Sequence, residues 1–179
     1  ADVVMLSTLN AIQAPGILPR RLAELTEVVS HRRADALVLW EEAGYHVPHV
    51  RDEVSAVLAS IADVYSMNED ELEAFVGRGV DLLDAADLAA ALDELRAVVP
   101  ARTLVVHSRY WALAVGERAH ELRGALRGGI TMASTRYVHG DAMTRGDYEA
   151  TAARTPREDA SALAAGPAVL IADEPTTAL

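Results

Sequence analysis

The sequence predicts an α/β fold in three layers, a mostly parallel sheet with helices on both faces. Short runs rich in Val, Leu and Ile alternate with longer segments of helical period, the pattern of βαβ units. Those short runs are continuously apolar rather than alternating, as strands covered on both faces should be. With 179 residues, 51% of them hydrophobic, the chain can bury about two thirds of its unfolded surface, which suffices for one domain, residues 1–179.

In chain order the predicted strands are Val3–Ser7, Ala36–Trp40, Asp63–Ser66, Thr103–His107 and Ala168–Ala172. Between the first two, Leu22, Leu25, Val28 and Val29 form an apolar stripe, with Arg20, Arg21, Glu24 and Glu27 on the wetter side. Pro19 suits the first turn of that helix, where its missing amide costs nothing. From Pro48 to Ser60, the stripe Val50, Val54, Val57, Leu58 and Ile61 predicts a second crossover helix. A third runs from Leu83 to Val99 and stops at Pro100, which cannot continue it. Tyr110–Val115 fits either an added strand or a helix start, and Glu117–Leu126 reads as helix until Gly128-Gly129. Residues 140–166 carry few apolar anchors and predict a peripheral helix or loop.

Composition excludes several function classes. The formal net charge of −11, from 27 acids against 16 bases, opposes a nonspecific hold on nucleic acid or anionic lipid, which needs a basic footprint. The absence of cysteine removes disulfides, thiol nucleophiles and thiolate metal sites. No apolar run approaches the ~18 residues of a membrane span, and no basic-then-apolar leader is present, so a cytoplasmic protein is expected. The first residues, Ala1-Asp2-Val3-Val4, lack Met, and the last are Thr177-Ala178-Leu179, which suggests a piece of a larger domain.

The most informative motif is Asn68-Glu69-Asp70-Glu71, directly behind the apolar run that ends in Tyr65. An amide and a carboxylate three positions apart, where a strand opens into a helix, form an oxygen-ligand set suited to hydrated Mg²⁺ beside a phosphate. The same residues also make an N-cap, with Asn68 accepting a first-turn amide and the acids favouring the positive end of the helix dipole. In an open parallel sheet, ligands gather beyond the carboxyl ends of the strands. Four such ends are chemically loaded: Ser7-Thr8-Leu9-Asn10, Glu41-Glu42, Asn68 with Glu71, and His107-Ser108-Arg109. Glu41 and Glu71 are therefore candidates to orient Mg²⁺, with Asn68 beside them. Arg109 or Arg136 would meet phosphate oxygens through a planar fork of donors, unless each is simply a surface ion pair.

Glu41, His46 and His49 offer a rival set for zinc or iron, although Pro48 between the histidines opposes a shared helical face. A Ser-His-Asp hydrolase is disfavoured because no Gly-x-Ser-x-Gly elbow occurs. No glycine-rich phosphate loop of the Walker or dinucleotide type is present either. A surface for phosphates would have to come from small residues and hydroxyls such as those of Met132-Ala133-Ser134-Thr135-Arg136-Tyr137, which serve equally as an ordinary packing helix.

Taken in order, these segments resemble the ADP-dependent sugar kinases, the glucokinase and phosphofructokinase branch of the ribokinase-like fold. Val4-Met5-Leu6-Ser7-Thr8-Leu9 is similar to the family strand ending in Leu-Ser-Gly, with Thr8 in place of glycine. Leu39-Trp40-Glu41-Glu42-Ala43 resembles the His-x-Glu segment, with Leu39 replacing the histidine and Glu41 retained. Asp63 to Leu72 contains Asn68-x-x-Glu71, matching the Asn-x-x-Glu that holds the Mg²⁺ site in such kinases. Val105 to Leu113 and Ala133 to Arg136 resemble a later strand and the small-residue helix near the nucleotide phosphates.

The resemblance implies ADP as phosphoryl donor, Mg²⁺ as cofactor, and a sugar or sugar-phosphate hydroxyl as acceptor. The family's Gly-x-Gly-Asp, whose Asp is the base, would follow Leu179, and the sugar-binding lid portion is also missing. Those departures, with Leu39, leave a second expectation open: a catalytically silent ribokinase-like module that binds nucleotide or sugar.

Overall fold

The computed structural model describes residues 2–12, 14, 16–154 and the backbone of 169–172. Its centre is a six-stranded sheet in the order β1 (Val3–Leu6), β2 (Leu37–Glu41), β3 (Val64–Asn68), β4 (Thr103–His107), β5 (Trp111–Gly116) and β6 (Val169–Ala172). β1 to β4 pair in parallel, and β5 is antiparallel to both β4 and β6. Tyr110–Val115, left open between strand and helix, is thus a strand. The turn at 108–110 is too short for a crossover, so the chain must return beside β4 in the opposite direction. Gly116 closes β5 at φ 125°, where an added Cβ would collide with the Arg102 carbonyl.

The helices are α1 (Ile17–Ser30), α2 (Pro48–Ile61), α3 (Glu69–Val76), α4 (Ala85–Val98), α5 (Arg123–His139) and α6 (Arg145–Ala152). α1 begins ahead of Pro19, and that proline lies in the first turn, where amides have no intrahelical partner anyway. Pro48 opens α2, and Asp84 caps α4 by accepting from the amides of Ala86 and Asp87. α3 ends on Gly77, whose φ of 72° is the left-handed cap that glycine adopts without strain.

Gly128-Gly129 does not end the helix predicted there. α5 runs through both glycines to His139. Each glycine costs roughly 1 kcal/mol relative to alanine, and packing of α5 against β5, β6 and α6 outweighs that propensity. Part of the 140–166 segment forms α6, with Thr144 and Asp147 as reciprocal caps. Residues 155–168, including Ala168 of the last predicted strand, lie outside the described residues, as does 173–179.

One face of the sheet carries the main core. Val38, Trp40, Tyr65, Met67, Leu104 and Val106 pack there against Leu18 and Leu22 of α1, Val54 and Leu58 of α2, and Leu88 and Leu95 of α4. On the other face Val64, Val105 and Ala114 meet Ala119, Leu122 and Leu126, from the chain entering α5 and from α5 itself. Helices therefore cover both faces over the middle of the sheet. Among the described residues this second cover stops short of β1, where Val3 and Met5 remain 55% and 60% exposed.

Candidate functional site

Parallel pairing brings the carboxyl ends of β1 to β4 to one rim, and alternation along each strand assigns the side chains there to faces. Glu41, Ser66 and His107 share the parity of the second face, whereas Trp40, Glu42 and Tyr65 belong to the first. β2 and β4 are separated by β3, yet Glu41 Oε1 and His107 Nε2 stand 2.9 Å apart across it. Burial opposes ionisation of Glu41, but the hydrogen bonds from His107 and Ser66 overcome it and hold the carboxyl below its ordinary value. The bond to Glu41 correspondingly raises His107, and the charges of Glu71 and Glu69 add to the effect. The two shifts agree: a proton shared by this pair stays on the imidazole.

Asn68 and Glu71 form a capping box at the start of α3. Glu71 N–H donates to Asn68 Oδ1 at 2.9 Å, and Asn68 N–H donates to Glu71 Oε2 at 2.9 Å. Burial pushes the Glu71 carboxyl up, partly offset by the Asn68 amide, and the charges of Glu42 and Glu41 push it further. Electrostatically, then, Glu71 lies within the field of both neighbouring glutamates. Glu42, Tyr45, Arg51, Asn68, Glu71 and Phe75 border a cleft of about 280 Å³ between the β2–α2 loop and α3.

Glu42 is only 5% exposed. It accepts the Tyr65 hydroxyl, the Trp40 indole N–H at 3.4 Å and the Ala43 amide at 3.0 Å. Burial and the Glu42 charge raise the Tyr65 hydroxyl far above its usual range, so it stays a donor. Tyr45, raised by the same two causes and further by its interaction with Glu42, also has a buried hydroxyl.

The fold is similar to that of several solved enzymes. A phosphofructokinase from Pyrococcus horikoshii OT3 solved with AMP is similar at a TM-score of 0.77 and 16% identity, over 97% of this chain and 46% of that one. An ADP-dependent kinase in complex with fructose-6-phosphate and ADPβS gives a TM-score of 0.77 at 13% identity, over 98% of this chain and 49% of that one. The fold is ribokinase-like.

A phosphofructokinase-2 from Escherichia coli, solved with substrates and products, matches at a TM-score of 0.53 and 17% identity, over 84% of this chain and 56% of that one. The chain spans about half the length of these ribokinase-like structures. No protein-family model matches the sequence, nor does any curated protein.

Within the ribokinase-like fold, the sequence-derived residues fall as follows. Glu41, Asn68 and Glu71 share the carboxyl rim, while Arg109 lies exposed in the β4–β5 turn beside it, its guanidinium 5.9 Å from the Tyr110 ring centre. Arg136 sits in the last turn of α5 and is held by Asp141 at 2.8 Å, with 66% of its side chain exposed. That is the surface ion pair weighed above against a phosphate role.

The rival set Glu41, His46 and His49 is not assembled. Both histidines are exposed, Glu41 is engaged by His107, and among the described residues no three His, Asp or Glu side chains are grouped to hold a metal ion. Sequence reasoning flagged His107 and Glu42 only as neighbours of other candidates. The signal for Glu42 was its two-residue spacing from Trp40, which places both on the core face.

Proposed function

We propose that this chain is the metal- and phosphate-positioning part of a cytoplasmic carbohydrate kinase that transfers a phosphoryl group from ADP to a sugar or sugar-phosphate hydroxyl. The observation that carries the proposal is the gathering of Glu41, Asn68, Glu71 and His107 at the carboxyl rim of a ribokinase-like sheet. The donor set fits Mg²⁺ as a hydrated ion, because two carboxylates and an amide oxygen suit its water shell, whereas no three-ligand cage exists among the described residues. When bound, Mg²⁺ would neutralise phosphate charge there.

In this reading His107 holds Glu41 ionised and oriented, and Asn68 fixes Glu71 at the helix start. Arg109, and Arg136 if it leaves Asp141, would neutralise phosphate oxygens. Proton removal from the accepting hydroxyl falls to the aspartate that the resemblance places after Leu179. The test is phosphorylation of glucose and fructose-6-phosphate by the full-length protein with ADP and Mg²⁺. Dependence on Mg²⁺ and loss in Glu71→Gln are expected, and normal turnover in that variant contradicts the assignment.

A second reading, the catalytically silent module, draws support from the pairing already present: Glu41 is satisfied by His107, and Asn68 and Glu71 satisfy each other. It predicts nucleotide or sugar binding by calorimetry without turnover in the full-length protein.

A further inference from the structure

Glu42 is a buried carboxylate that the proposed reaction does not use, and no basic side chain pairs with it among the described residues. A buried charge of this kind is costly unless it is fully hydrogen-bonded. Three donors meet that need: the Trp40 indole and the Tyr65 hydroxyl on Oε2, and the Ala43 amide on Oε1. Trp40 and Tyr65 are register partners on β2 and β3, with ring centres 6.4 Å apart in an edge-on arrangement, and Tyr65 continues to Phe75 of α3 at 6.5 Å. Both rings are 0% exposed, so the donors cannot swing away. The Glu42 amide meanwhile donates to the Ser66 carbonyl at 2.8 Å, continuing the ladder one residue beyond β2. Side chain and main chain of Glu42 are thus both fixed at the residue next to Glu41.

We propose that Glu42 is a positioning residue: clamped by Trp40 and Tyr65, it fixes the chain leaving β2 and so sets the reach of the Glu41 carboxylate to His107. The functional weight of that position rests on the kinase reading, but the positioning itself does not. Hydrogen bonds to a rigid aromatic pair restrict the turn more than packing alone, because they specify direction as well as distance. Tyr65→Phe removes one of the donors to Glu42 and leaves Glu41, Glu42 and His107 themselves unchanged, so an effect on the Glu41–His107 contact reports position.

The test uses Tyr65→Phe, which leaves every charge in place, together with Glu42→Gln, which keeps an acceptor, and Glu42→Leu, which keeps neither. The readouts are amide exchange at Ala43 and the His107 ring ¹⁵N resonances at fixed pH, with circular dichroism confirming the fold. Expected in Tyr65→Phe and Glu42→Leu are Ala43 exchange faster by about fivefold, the size of one lost hydrogen bond, and His107 ring shifts moving toward a free imidazole. Glu42→Gln should restore both in large part. His107 shifts that stay at wild-type values while Ala43 exchange rises would overturn the proposal, leaving a purely local clamp. If Glu42→Leu does not fold, Tyr65→Phe decides alone. The measurement needs neither metal nor nucleotide, so failure of the kinase reading is seen separately, as absent turnover.

Discussion

Glu71 has two separable jobs, and a pair of substitutions tells them apart. As the third residue of α3 it accepts the Asn68 amide, and Asn68 accepts the Glu71 amide, each at 2.9 Å. Asn68→Ala removes the side-chain cap, a loss of about 1 kcal/mol, and a chain of this size loses about 2–4 °C in Tm for each such step. Glu71→Gln keeps an oxygen that can accept from Asn68 and so retains the box. It also removes a carboxyl whose affinity for protons is raised by burial and then by Glu42 and Glu41. A raised carboxyl favours folding below its unfolded value of 4.5 and loses that contribution as pH rises through the folded value.

At neutral pH, therefore, Glu71→Gln should unfold in urea at the wild-type midpoint or slightly above it, whereas Asn68→Ala should fall clearly below. A Glu71→Gln midpoint as low as that of Asn68→Ala would refute this division and make the charged carboxylate itself part of the scaffold.

Other consequences follow from the same contacts. The Glu41–His107 pair adds its full stability between the unfolded values of 4.5 and 6.5. Its contribution is lost on the acid side as Glu41 protonates and on the alkaline side as His107 loses its proton. In His107→Phe, pH-dependent urea unfolding should lose this plateau. Trp111, 0% exposed and donating to the Leu82 carbonyl at 2.7 Å, should cost about 1–3 kcal/mol on replacement by Phe, because the carbonyl is left unpaired; chemical unfolding checks it. Gly116→Ala should destabilise by at least about 1–3 kcal/mol, since φ is 125° and the new Cβ meets the Arg102 carbonyl. Arg136→Ala should change stability by less than about 0.5 kcal/mol, since its ion pair with Asp141 is exposed.

Much of the architecture was legible because each strand is a compact apolar run followed by a chemically distinct residue. Val38 and Trp40 or Val64 and Tyr65 could hardly sit elsewhere than in a sheet covered by helices. The capping box at Asn68 was legible for the same local reason, since spacing alone fixes which atoms can meet. What could not be read was long-range. The approach of His107 to Glu41 depends on β2, β3 and β4 lying side by side, a fact of pairing rather than composition. Gly128-Gly129 misled because tertiary packing of α5 outweighed two poor helix formers. Glu41 and Glu42 are the same residue type side by side, and only strand alternation separates them, sending Glu42 into the core and Glu41 to the rim.

If Glu41 and Glu71 serve one phosphoryl-transfer site, both carboxylates are needed for turnover. The most direct measurement is the initial rate of sugar phosphorylation by the full-length protein with ADP and Mg²⁺, for wild type, Glu41→Gln and Glu71→Gln. A drop of about a hundredfold or more in both variants is expected for groups that stabilise charge in the reaction. Wild-type rates in either variant would contradict it.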